Sequence, residues 1–176
     1  NTKTGETGSI AAGIIEIKQN PAYKSLITIA HEKGVKVMAS IGGWSMCKHF
    51  GSMAADATKR KKFTDDCKRL INLGFDGIDI DWEYPGRAGM NFTGGPQDFN
   101  NYAVLMEDIR AAIGTSKLLT GCFSAVIKPN EFDWVRLNKS MDYFNMMSYD
   151  FNGGWSNKAG HNSPLFDYPG AEYAGL

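Results

Sequence analysis

The sequence predicts an α/β fold built on a parallel β-sheet, and three observations carry that expectation. Apolar strand-like segments alternate with amphipathic helical ones, and the strands containing Ser40, Asp81 and Ser124 recur at intervals of about 40 residues, the strand–loop–helix repeat of such sheets. Polar residues gather near the strand C-termini (Ser40, Asp79 to Glu83, Tyr149), the end at which parallel sheets carry function. No glycine-rich phosphate loop occurs, which favours a (β/α)8 TIM barrel over an open doubly wound sheet sharing the same repeat. Four strands are legible where a barrel closes with eight. Residues 1–176 therefore read as one partial barrel, containing roughly its third to sixth strands.

Taken in order, Asn1 to Ser9 is polar and glycine-containing and reads as a loop; its first residues lack the pattern of a signal peptide. Asn20-Pro21 suits a helix start, with Leu26, Ile27, Ile29 and Ala30 on an apolar face and Gly34 as the stop. Val35 to Ile41 reads as a strand ended by Gly42-Gly43-Trp44. A helix is expected from about Asp56 to Leu73, striped by Phe63, Cys67, Leu70 and Ile71. Gly86 to Pro96 is loop. Another helix runs from about Asp98 to Ile113, followed by a strand from Leu118 to Val126, a short helix from Phe132 to Leu137 and a strand from Tyr143 to Tyr149. Beyond Asp150, repeated Gly and Pro predict loop.

Between the second helix and the Gly86 loop lies Asp76-Gly77-Ile78-Asp79-Ile80-Asp81-Trp82-Glu83-Tyr84-Pro85. Acid and apolar residues alternate from Ile78 to Glu83, so a strand puts Asp79, Asp81 and Glu83 on one face and Ile78, Ile80 and Trp82 on the other. The apolar face anchors the strand in a core. The acidic face holds like charges together, with no Lys or Arg until Arg87. Crowded, part-buried carboxylates raise one another's pKa, which is how a protein keeps an acid protonated near neutrality. Asp76 is out of step with the other three and is expected to be a cap or ion-pair partner.

Composition excludes several classes. Nineteen basic residues balance nineteen acidic ones, leaving no global field to attract nucleic acid or an anionic membrane. The run Lys59-Arg60-Lys61-Lys62 reads as a solvated helix face. No apolar run reaches the roughly 20 residues that span a bilayer. His31, His49 and His161 are scattered, and Cys47, Cys67 and Cys122 contain no C-x-x-C pair, so no metal site is expected. Buried free thiols are expected, with a Cys47–Cys67 bridge as the alternative. Trp82 and Trp134 are assigned to packing. Trp44 and Trp155 follow strand ends in Gly-rich loops, where an indole face is open to stacking on a ligand.

These motifs together resemble glycoside hydrolase family 18, the chitinases. The acidic decapeptide looks like that family's catalytic signature, and Ser40-Ile41-Gly42-Gly43-Trp44 resembles its second signature on the preceding strand. Met147-Ser148-Tyr149-Asp150 resembles a later substrate-binding strand, with Gly153-Gly154-Trp155 in the loop beyond it. The resemblance implies retaining hydrolysis of β-1,4-linked N-acetylglucosamine polymers without a cofactor, by a monomeric, secreted enzyme whose substrate supplies its own nucleophile.

It further implies that Glu83 is the general acid/base and that Asp81 holds the substrate's acetamido N–H. Asp79 would be a deeper carboxylate sharing a proton with Asp81, and Tyr149 would donate to the acetamido oxygen. Trp44, Tyr84, Met147, Asp150 and Trp155 would line the sugar site, with Ser40, Gly42 and Gly43 behind them. A sugar-binding lectin, an inactive fragment and an endo-acting N-glycan hydrolase are the alternatives.

Overall fold

A computed structural model describes residues 25–171. Its centre is a four-stranded parallel sheet in the order β1 (Met38–Gly42), β2 (Gly77–Asp81), β5 (Leu118–Ser124), β6 (Tyr143–Met147). The helices, in chain order, are α1 (Leu26–Glu32), α2 (Phe50–Ala55), α3 (Ala57–Asn72), α4 (Gln97–Ile113) and α5 (Trp134–Ser140). The acidic strand is therefore interior, paired with β1 on one side and β5 on the other. Each neighbour in the sheet is the next long strand in the chain, the order a barrel wall requires.

The two faces of the sheet follow the alternation in the sequence. Ala39 and Ile41 of β1, Ile78 and Ile80 of β2 with Trp82 beyond it, and Leu119 and Phe123 of β5 are buried against the helices. Trp82 stacks on Phe50 at a ring separation of 5.4 Å and leans on Tyr102 of α4. Burying such a side chain stabilises the fold by about 1.5–3 kcal/mol. Trp134 packs with Phe123, Phe132 and Phe144, the structural place expected for it.

Capping sets the helix bounds. Asp56 accepts from Lys59 N at 2.9 Å to start α3, and Asp133 accepts from Arg136 N at 3.1 Å to start α5. The expected start of the first helix at Asn20-Pro21 lies outside the described residues. Several bounds differ from the sequence reading for local reasons. β1 begins at Met38 because Val35 N bonds Ala30 O and closes the end of α1 instead. Phe50–Ala55 forms an additional helix, whose Phe50, Met53 and Ala54 are buried. The Gly86 loop contains a two-residue antiparallel pair, β3 (Ala88–Gly89) with β4 (Phe92–Thr93). β6 stops at Met147, where Ser148 N turns back to Met146 O, so Tyr149 lies just beyond the strand.

Candidate active site

The site sits at the C-terminal end of the sheet, on the face away from the helices. Register aligns Ser40, Asp79, Thr120 and Tyr143 as one level across all four strands. Asp79 is buried within this level, and its carboxylate takes donors from each neighbouring strand. Ser40 Oγ donates to Oδ2 at 2.8 Å, while Thr120 Oγ1 and Asn145 Nδ2 donate to Oδ1 at 2.5 and 3.1 Å. Cys122 Sγ lies 3.6 Å from Oδ2. One carboxylate thus ties β1, β5 and β6 to β2.

Asp81 is the next residue on that face. Burial, then the charges of Glu83 and Asp79, push its carboxyl up from 3.8 to about 6. Its Oδ1 is buried and has no hydrogen-bond donor among the described residues. An acceptor with no donor is costly, whereas a protonated carboxyl supplies its own hydrogen. Glu83 follows, half-buried, just beyond the end of β2. The Tyr84 phenol is pushed up by burial and then by its charge and hydrogen-bond contact with Glu83.

The turn after β1 is shaped to receive this strand end. Gly42 and Gly43 have φ of 117° and 98°, which side-chain-bearing residues rarely adopt, and a Cβ on Gly42 would lie 2.1 Å from Asp81 O. Gly43 N donates to that same oxygen at 2.8 Å. Beneath the turn, the buried thiol of Cys47 reaches Gly43 O and Asp81 O, each at 3.2 Å, and accepts from Glu83 N at 3.4 Å. Burial pushes this thiol up to about 12, so it remains a donor. All three cysteines are free.

The remaining predicted residues fall into two groups. Tyr149 is near the acids: burial first, then the charge of Asp81, raises its phenol, and Glu83 contributes too. Met147 is buried at the end of β6, opposite Ser124. Trp44 is 50% exposed, and its ring lies 6.3 Å from that of Tyr84, so the two aromatics form one wall. Asp150 and Trp155 belong instead to the following loop. Asp150 accepts from Asn162 Nδ2 at 3.0 Å, and Trp155, 63% exposed, packs over Gly153.

Thr120, Cys122 and Asn145 were not singled out as site residues in the sequence, although the alternation of Thr120, Cys122 and Ser124 places them on the acid-facing side of β5. Asp76 lies outside the cluster, as its parity implies. It accepts from Val37 N at 2.7 Å and pairs with His31 Nε2 at 2.7 Å. Among the described residues, no group of three or more His, Cys, Asp or Glu side chains is placed to hold a metal ion, and no helix is long and apolar enough to cross a membrane.

The alignment of this chain with known proteins decides its family. The profile of glycosyl hydrolases family 18 matches residues 6–175. The chain belongs to that family. It is 35% identical over 153 residues to Chitinase A1 of Niallia circulans, covering 81% of this chain and 22% of that protein. It is 33% identical over 147 residues to the oviduct-specific glycoprotein of Mus musculus, covering 77% of this chain and 20% of the relative. Among solved structures, the Ostrinia furnacalis Group IV chitinase in complex with allosamidin superposes with a TM-score of 0.83 at 28% identity. That match covers 97% of this chain and 47% of the solved one. The chain therefore spans about a fifth of these two curated relatives and about half of the solved chitinase. Its four parallel strands are a segment of the family's (β/α)8 barrel.

Proposed function

We propose that this family 18 chain carries the acid-bearing wall of an enzyme that hydrolyses β-1,4 linkages between N-acetylglucosamine units of chitin, with retention of configuration. The observation that carries this reading is the graded ladder of Asp79, Asp81 and Glu83. The deepest carboxylate is saturated with donors, the middle one has its carboxyl raised to about 6, and the outermost stands at the strand end. The likeness to chitinases, one of them solved with allosamidin, supports the substrate class.

In this mechanism Glu83 protonates the glycosidic oxygen as the bond to the leaving sugar breaks. The substrate's own 2-acetamido oxygen closes on the anomeric carbon, giving an oxazolinium ion; no carboxylate of the protein forms that bond. Asp81 accepts the acetamido N–H through its carbonyl oxygen and orients the group, while Tyr149 donates to the acetamido oxygen. Glu83, now a carboxylate, takes a proton from the incoming water, which opens the oxazolinium ring and restores the acid. Trp44 and Tyr84 provide an aromatic wall for one sugar face, and Trp155 extends it along the polymer. Met147 and Asp150 border the same sugar, and Ser40, Gly42 and Gly43 support the acids from behind. An insoluble polymer is reached outside the cell, so we place the enzyme there, acting as a monomer.

Glu83→Gln tests the assignment, since it keeps the side chain's shape and removes its proton. Turnover of a soluble N-acetylglucosamine tetramer should fall by about 10³-fold or more, with oligomer binding, measured by calorimetry, retained. An unchanged kcat would refute the role of Glu83. Binding by the native chain without turnover would favour a lectin-like protein instead.

A further inference from the structure

We propose that Thr120 and Asn145 are positioning residues that fix which member of the Asp79–Asp81 pair holds the proton, keeping it on Asp81. The proposal rests on the catalytic reading above for its consequence, but on geometry for its content.

Hydrogen-bond donors are divided unequally between the two carboxyls. A carboxylate has two oxygens with about four lone-pair directions, and it accepts only. Asp79 Oδ1 receives Thr120 Oγ1 at 2.5 Å and Asn145 Nδ2 at 3.1 Å; Oδ2 receives Ser40 Oγ at 2.8 Å and faces Cys122 Sγ at 3.6 Å. Three hydroxyl and amide donors converge on Asp79, with the Cys122 sulfur beside them, which favours its charged form. A protonated Asp79 would set its own O–H against these donors. Asp81 is in the opposite position, with a buried Oδ1 that meets no donor among the described residues. Asp79 and Asp81 share one face of β2, and the charge of Asp79 bears on Asp81, so the donors decide which of the two more readily holds a proton.

The other groups around the pair do not reverse this. Ser40 from β1 and Cys122 from β5 donate toward Asp79. Glu83 and Asp79 add negative charge at Asp81 and so favour its protonation; Cys122 opposes this with a hydrogen bond. The phenols of Tyr102 from α4 and of Tyr149 beyond β6 are both raised, so they remain neutral beside the pair. Thr120 and Asn145 stand on two different strands but converge on one oxygen, and Thr120 is itself buried. Removing either leaves Oδ1 with one close donor and the Cys122 sulfur at 3.9 Å. A proton on Asp79 would then be better tolerated, and Asp81 would be left charged near Glu83.

The test uses the full chain with carbon-13-labelled aspartate carboxyls, assigned through Asp79→Asn and Asp81→Asn. In the native protein the Asp81 signal should titrate near 6. In Thr120→Val and in Asn145→Ala, the Asp79 signal should move toward the protonated position and the Asp81 midpoint should fall. Thr120→Ser, which keeps the hydroxyl, should restore the native pattern. On a chitin oligomer, kcat should drop about tenfold for a one-unit displacement of the proton balance, with KM within about twofold and Thr120→Ser close to native. Native carboxyl titrations in folded Thr120→Val and Asn145→Ala would overturn the proposal. So would a loss of kcat that Thr120→Ser fails to relieve. Absence of chitin turnover in the native chain would instead count against the catalytic reading, because the carboxyl titration is read without substrate.

Discussion

Gly42→Ala tests how tightly the turn after β1 is fitted to the acidic strand. An alanine there must adopt φ near 117°, or the turn must change. Backbone strain of that kind costs about 1–3 kcal/mol. The added methyl carbon would also sit 2.1 Å from Asp81 O, far inside van der Waals contact and against backbone that cannot swing away as a side chain can. Relieving the clash separates the turn from β2 and breaks the 2.8 Å bond from Gly43 N and the 3.2 Å contact from Cys47 Sγ. Each lost hydrogen bond removes about 0.5–1.5 kcal/mol. The total is about 2–6 kcal/mol, a large share of a domain's net stability of about 5–15 kcal/mol. Urea unfolding followed by tryptophan fluorescence measures it. Gly154→Ala is the control, since a Cβ there meets nothing within 4 Å. A loss below about 1 kcal/mol in Gly42→Ala would refute the reasoning, because neither the strain nor the clash could then be real.

Three further outcomes follow from the same geometry. Asp81→Asn should raise the melting temperature at pH 7: the folded carboxyl titrates at about 6 and the unfolded one at 3.8. The native state therefore holds the proton longer, and wild-type stability falls as pH rises from about 4 to 6. The gain should vanish below pH 3.8, and an advantage over wild type no larger at pH 7 than at pH 3 would contradict it. Asp76→Ala should cost about 1–3 kcal/mol by stranding the Val37 N–H, with kcat per folded molecule unchanged; a tenfold lower kcat would move Asp76 into the acid cluster. Trp44→Ala and Trp155→Ala should each raise KM for long oligomers about 2- to 13-fold, the loss of one stacked ring, with smaller effects on a dimer. Equal effects on long and short substrates would remove these residues from an extended cleft.

The fold was legible wherever side-chain alternation and capping act locally. Ile78, Ile80 and Trp82 read as one face and are one face, because a strand's period of two follows from backbone geometry alone. Asp76 read as structural from its parity and is held by Val37 and His31. The donors around Asp79 were harder to see. Thr120 and Asn145 lie 41 and 66 residues away, and each by itself is an ordinary polar residue of a strand. Only the strand order brings them to one oxygen. Cys47 is similar: its position after a Gly-Gly turn gave no sign that its sulfur would take the Glu83 N–H.

That sulfur explains how β2 can present an acid at its end. The ladder with β1 stops at Gly42 and Asp81, because Gly42 and Gly43 turn the chain away. From there the β1 side no longer offers β2 a continuing strand, yet the Glu83 N–H and the Asp81 carbonyl still require partners. Gly43 N and the Cys47 thiol satisfy them, so β1 can depart without loosening the strand it leaves. Its departure places Trp44 beside Tyr84, and Glu83 stands at an edge that a continuing β1 would have covered. Asp79 is held from the sides by β1, β5 and β6, while the backbone next to Glu83 is held from below by Cys47. The depth gradient among the three acids thus follows from where the strand ladder ends.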